Sequence, residues 1–130
     1  MKKSTLFILL ITITLIIAIN CANANRERKV IMYNKKGEII KVYKVGDKAT
    51  GLIFSYDEYA RIEGLDEIKE LEELWLTHNN LTKIEGLDNL KKLKKLDFYR
   101  NEITKIEGLD KLTELEELGL SMNQIKKSKV

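Results

Sequence analysis

The 130-residue sequence has no proline, one cysteine and one histidine. Its chain reversals therefore proceed without proline-containing turns. A single cysteine, Cys21, excludes a disulfide framework within the chain. His78 is the lone histidine, and no Cys/His spacing supplies further ligands for a zinc site. No Ser/His/Asp set and no glycine-rich phosphate loop is present, because the glycines recur at intervals instead of clustering. The chain is therefore expected to be neither an enzyme nor a binder of a metal or cofactor. Charge of one sign is also scarce. The formal net charge is +3, and without Lys2 and Lys3 it falls to about +1. Nucleic-acid binding needs a clustered basic face, which this balance does not provide.

Lys2 and Lys3 open the chain, an apolar run interrupted only by threonines follows from Leu6 to Ile19, and Ala22-Asn23-Ala24 places small residues after it. This order is that of a secretory signal peptide over residues 1–24. The apolar run is short for a membrane span, which needs about 20 residues. Cys21 leaves a second reading open. Ala18-Ile19-Asn20-Cys21 resembles a bacterial lipoprotein signal, although Asn20 is bulkier than the Gly or Ala usual before a lipidated cysteine. Either cleavage follows Ala24, or Cys21 is lipidated and holds the protein at a membrane. Both place the rest of the chain outside the cytoplasm, secreted or at the cell envelope or surface.

Beyond residue 24 the dominant feature is repetition. Ile-Glu-Gly-Leu-Asp occurs at Ile62, Ile84 and Ile106, a period of 22 residues. Units 62–83, 84–105 and 106–127 share nine of their 22 positions, among them Asn79, Asn101 and Asn123. One such unit cannot bury its own apolar face and must stack on its neighbours. A weaker copy precedes them: Leu52, Phe54, Asp57, Tyr59 and Ile62 lie 22 residues before Leu74, Leu76, Asn79, Leu81 and Ile84. Residues 46–61 are thus a degenerate first repeat, with Asp57 in the place of asparagine. Upstream, two β-rich runs flank Asn34-Lys35-Lys36-Gly37, so 30–45 is expected to form a β-hairpin capping the stack. Residues 25–29 are expected to be a disordered linker and 128–130 a tail.

Within a unit, Leu74 and Leu76 alternate with variable residues, as in a half-buried strand. Leu65, Ile68 and Leu71 recur every third residue, the period of a 3₁₀ turn. Asp66, Asp88 and Asp110 stand where N-caps of those turns are expected. Gly64, Gly86 and Gly108 mark a sharp bend that needs positive φ or has no room for a side chain. The asparagines are expected inside the bend as a ladder of amides, satisfying buried backbone groups.

The spacing Leu71-x-x-Leu74-x-Leu76-x-x-Asn79-x-Leu81 resembles the leucine-rich repeat family. It recurs in phase from Leu93 to Ile103 and from Leu115 to Ile125. The resemblance implies an α/β solenoid: a short curved stack with a parallel β-sheet on the concave face and 3₁₀ or irregular turns on the convex face. The 22-residue units are similar to those of internalin-type bacterial surface proteins and of a phosphatase-regulating eukaryotic class, and the export signal favours the former. In this family the residues between and after the strand leucines face the concave surface. By alignment these form four columns: Gly51, Glu73, Lys95, Glu117; Ile53, Trp75, Asp97, Gly119; Ser55, Thr77, Tyr99, Ser121; and Tyr56, His78, Arg100, Met122.

The candidate contact residues are Trp75, His78, Asp97, Tyr99, Arg100 and Met122. Trp, Tyr and Arg are common interface anchors. The plainer reading has the aromatics shielding a small sheet, His78 solvated, and Lys95 and Asp97 pairing with Glu73 or each other. The lysines at 91–95 are expected to form charge ladders with glutamates of flanking units. The sequence thus implies an exported module that binds a protein ligand through a passive, rigid sheet. Two alternatives stand beside it: a lipid-anchored envelope protein that self-associates end to end through an uncapped last repeat, and a shortened, vestigial repeat protein.

Overall fold

A computed structural model describes residues 28–46 and 48–126, so the expected signal peptide, Cys21 and the 128–130 tail lie outside the described residues. Two sheets are present. Strands β1 (Arg28–Tyr33) and β2 (Ile39–Val45) form an antiparallel hairpin, with Val30 opposite Tyr43 and Ile31 opposite Val42. Asn34 organises its loop by accepting the Lys36 and Glu38 amides at 2.9 and 3.0 Å. A third strand, β4 (Arg61–Glu63), pairs antiparallel with β1, setting Met32 against Ile62. Sequence periodicity gave no sign of it, because Ile84 and Ile106 open their units in the same words yet lie in no strand. Two residues of the expected 25–29 linker are described, and neither is disordered. Arg28 and Lys29 already belong to β1, opposite Val45 and Lys44, and Arg28 Nη1 meets the Glu67 carboxylate at 3.3 Å.

The second sheet is parallel and takes one three-residue strand from each unit: β3 (Gly51–Ile53), β5 (Glu73–Trp75), β6 (Lys95–Asp97) and β7 (Glu117–Gly119), in that order. The register advances by 22 residues per strand, so Leu52, Leu74, Leu96 and Leu118 stand side by side. Leu74, Leu76, Leu96 and Phe98 are buried beneath it, together with the turn residues Ile68, Leu71, Leu90 and Leu93. Val30 and Met32 of β1, both fully buried, close the same core at its N-terminal side. Lys35, in the hairpin loop, reaches the Glu102 carboxylate at 2.7 Å.

Opposite the strands the period-three leucines make bonded turns. Ile68 N–H donates to the Leu65 carbonyl and Leu71 N–H to that of Ile68, at 3.0 and 3.1 Å. The same pairs recur at Leu87, Leu90 and Leu93, and at Leu109, Leu112 and Leu115. Only Leu65–Glu67 is regular enough to count as a 3₁₀ helix, and no α-helix occurs among the described residues. The α/β class is accordingly corrected to a strand-rich fold with almost no helix. Its turns are too tight for α-helical bonding and leave leucine packing to do the work of a helix. The aspartate caps are corrected as well. The N-cap position of that helix is Gly64, which has no side-chain cap, and Asp66 lies inside the first turn. There its negative charge still suits the exposed amides of a helix start.

All three repeat glycines take positive φ, +87° at Gly64, +72° at Gly86 and +76° at Gly108. Their surroundings differ despite identical flanking words. A Cβ on Gly64 would collide with the Lys29 carbonyl oxygen of β1, and one on Gly108 would lie 2.6 Å from the Ile84 carbonyl oxygen. One on Gly86 would meet nothing within 4 Å.

Candidate functional site

Each unit turns inward directly after its strand, and an asparagine amide fills the bend. Asn101 Oδ1 accepts the Leu81 N–H at 3.1 Å, while Nδ2 donates to the carbonyls of Leu76 at 2.7 Å and Phe98 at 3.0 Å. Asn79 makes the same three-way connection one unit earlier, to Tyr59 N, Phe54 O and Leu76 O. Asn123 makes it one unit later, to Ile103 N, Phe98 O and Leu120 O. Each amide therefore bridges two units and satisfies groups that have no strand partner. In the degenerate first repeat the aspartate plays a different part. Asp57 accepts the Tyr59 hydroxyl at 2.7 Å, and that hydroxyl lies 2.9 Å from Tyr43 of the hairpin. Burial and these bonds raise the Tyr59 pKa above its ordinary value.

On the opposite side of the strands the second-column residues Ile53, Trp75, Asp97 and Gly119 lie in register. Ile53 is 72 % exposed, and Trp75 and Asp97 are half-buried. Asp97 Oδ1 accepts the Tyr99 N–H at 2.7 Å. In the third column the Ser55 and Thr77 hydroxyls are 2.9 Å apart. The fourth column leaves the strands altogether. Tyr56, His78, Arg100 and Met122 all adopt left-handed backbone, with φ of 65°, 54°, 57° and 60°. Such a conformation costs a residue with a side chain about 1–2 kcal/mol, and glycine would take it freely. Nothing in the residue types of this column signals it. Tyr56 and Met122 are nonetheless 73 % and 65 % exposed.

The expected cluster of Trp75, His78, Tyr99 and Arg100 is only partly assembled. His78 stacks on Tyr56, with ring centroids 4.0 Å apart and planes 20° off parallel, and meets the edge of Tyr99 at 5.3 Å. Its Nδ1 is buried without a hydrogen-bond partner. Trp75 joins no ring contact among the described residues and instead borders a hollow with Lys95, Asp97, Glu117 and Gly119. Tyr56, absent from the sequence-derived set, is thus part of this ring stack. Its only signal was its place 22 residues before His78 in a degenerate unit.

The lysine-rich segment is neutralised by its neighbours. Lys92 pairs with Glu70, Lys94 with Glu72 at 2.8 Å, and Lys95 lies 3.7 Å from both Glu73 and Glu117. The Lys94 ammonium lowers the Glu72 pKa, chiefly through their hydrogen bond, and the carboxylates raise Lys92 and Lys94 in turn. Among the described residues no group of three or more metal-ligating side chains converges.

A parallel sheet built from one short strand per unit, with an asparagine bridging each bend, defines a stacked-repeat scaffold. A family model for leucine-rich repeats matches twice, over residues 69–111 and 91–129. Residues 69–129 are leucine-rich repeats. No curated protein matched the sequence. Leucine-rich repeats commonly mediate protein–protein interaction and are a non-enzymatic scaffold.

Proposed function

We propose that this chain is an exported protein-binding module whose concave sheet face, bearing Trp75, Tyr99 and the fourth-column residues, engages a protein partner at a cell surface. The observation that carries the reading is the fourth column. Tyr56, His78, Arg100 and Met122 hold large side chains in a backbone conformation that disfavours them, while the framework around them repeats almost unchanged. The bend imposes this φ in every unit, yet no unit places glycine there, and large side chains kept at such variable positions are more economically explained by contact than by folding. Ile53, Tyr56, Tyr99 and Met122 also expose apolar surface along one face, as interaction sites do. Export rests on the order of residues 1–24, and the similarity to internalin-type bacterial surface proteins rests on the 22-residue unit.

A paired capture experiment tests the reading. Wild-type protein and a Trp75→Ala/Tyr99→Ala variant with the same circular dichroism spectrum are immobilised and exposed to extracellular and envelope extracts. A protein retained by the wild type alone supports the face as the site. Equal retention by both, or none, refutes it.

A second reading, end-to-end self-association, has its own observation. Leu118 of β7 is exposed, as are Ile106 and Ile125 of the same unit; β7 pairs on one side only among the described residues, and unpaired strand edges recruit others. Sedimentation equilibrium of wild type and Leu118→Lys separates the two readings. A dimer that dissociates in the variant favours this one. Loss of lipid labelling in Cys21→Ser would add a membrane anchor to either.

A further inference from the structure

The sheet face carries a hollow that the columns of side chains alone do not reveal. Trp75, Asp97 and Gly119 sit in one row across β5, β6 and β7, and Glu73, Lys95 and Glu117 form the row two residues earlier on the same face. The first row passes from an indole to a carboxylate to bare backbone. A hollow of about 230 Å³ opens there, walled by Trp75 and bordered by Lys95, Asp97, Glu117 and Gly119. The glycine leaves room for the carboxylate that borders it, since a Cβ at position 119 would strike Asp97 Oδ1 and lie 2.7 Å from its Cγ. Asp97 is also held from within its own strand, because Oδ1 accepts the Tyr99 N–H. Its Oδ2 takes no hydrogen bond among the described residues. Three carboxylates, Glu73, Asp97 and Glu117, share these two rows with a single ammonium, that of Lys95. Lys95 stands 3.7 Å from two of them, too far for a full hydrogen bond to either.

We propose that this hollow is a socket for a lysine or arginine side chain of the protein partner. The assignment rests on the sheet face being the binding surface and adds the chemistry of what it accepts. The aliphatic stem lies along the Trp75 ring, as long basic side chains do on apolar surface. The cationic head sits between Asp97 Oδ2 and Glu117, with charge-assisted hydrogen bonds to the carboxylates and a cation–π contact to the indole, and Lys95, which lies 3.7 Å from both Glu73 and Glu117, turns to Glu73 to admit it. An apolar side chain would strip water from Asp97 without replacing its hydrogen bonds. An acidic side chain would meet like charge on two sides.

Trp75 is the only tryptophan in the chain, so its emission reports the socket directly. The whole protein is titrated with blocked pentapeptides that differ only at a central arginine, citrulline or leucine among glycines. Citrulline keeps the shape of arginine and removes the charge. The expected result is a saturable change in emission with the arginine peptide, at least tenfold weaker binding of the citrulline and leucine peptides, and loss of the preference in Asp97→Asn. That variant keeps an acceptor for Tyr99 N–H and loses only the charge. Gly119→Ala, which displaces the carboxylate, is expected to remove the preference too. Equal response to arginine and citrulline, no saturable response, or an unchanged preference in Asp97→Asn overturns the socket. If a captured partner depends on Trp75 and Tyr99 yet is indifferent to Asp97→Asn, the socket fails and the binding face survives. A partner indifferent to all of these substitutions defeats both.

Discussion

Replacing Asn101 by alanine isolates what the asparagine ladder contributes. The amide makes three bonds, but their losses are unequal. The Leu76 carbonyl also receives Asn79 Nδ2 at 3.3 Å, and the Phe98 carbonyl receives Asn123 Nδ2 at 2.9 Å, so both acceptors keep a donor. The Leu81 N–H has only Asn101 Oδ1, within a buried residue. The cost is therefore mainly that of one orphaned buried donor, about 1–3 kcal/mol. In a domain of this size each kcal/mol lowers Tm by about 4–8 °C. Urea unfolding followed by Trp75 emission gives the free energy, and a scan gives the melting shift. Asn123→Ala should cost less, because Asn123 is only half-buried and water can reach its partners. Asn101→Asp provides an internal control. It keeps an acceptor for Leu81 N–H but turns an oxygen toward two carbonyls, so it should be worse than alanine at neutral pH and recover as acid protonates it. An unchanged unfolding midpoint in Asn101→Ala, or equal costs at 101 and 123, would refute the account.

The glycines offer a second contrast: Gly86→Ala should cost about 1–2 kcal/mol for left-handed backbone alone, whereas Gly64→Ala should cost clearly more, because its Cβ would also strike the β1 backbone at Lys29. Comparable midpoints in chemical denaturation would show that contact to be unimportant. Arg100→Gly should leave stability within about 1 kcal/mol of wild type, since relief of the left-handed strain offsets the added freedom of the unfolded chain; a larger loss would mean that Arg100 has a structural partner. Tyr59 has a raised folded pKa, so its contribution to stability is whole below the ordinary tyrosine value of about 10 and is lost as pH rises above it. In an alkaline absorbance titration, one of the five tyrosines should ionise only as the protein unfolds, and Tyr59→Phe should remove that late step. Glu72→Gln should leave the unfolding midpoint unchanged, because its pair with Lys94 is solvent-exposed and screened.

Whatever recurred was legible in the sequence, because stacking turns each structural requirement into a period. The parallel sheet follows from Leu74, Leu96 and Leu118 meeting the same neighbours one unit on. The i→i−3 turn bonds follow from leucines at every third position. Requirements met only once leave no period. β4 forms because Ile62 alone has the hairpin beside it, and Gly64 is tightly packed for the same reason while Gly86 has open space. The left-handed column is periodic in geometry but not in residue type. Tyr, His, Arg and Met tolerate that φ without announcing it, so the alignment found the positions and missed their conformation.

The candidate site was illegible for a related reason. A binding face is made from positions the framework leaves free, and their meaning lies in differences between units. Alignment could name Trp75 and Tyr99 as anchors, but Tyr56 belongs with them only because its ring stacks on His78. Gly119 brings no side chain to its column. In the structure that absence is a feature, since any side chain there would displace the Asp97 carboxylate. The Asp97 side of the Trp75 hollow consequently depends on a residue that borders it with backbone alone. Gly119→Ala should alter recognition through that position while leaving the leucine core beneath the sheet in place. If that core is disturbed as well, so that unfolding shifts in step with binding, Gly119 serves the fold and the hollow is incidental to it.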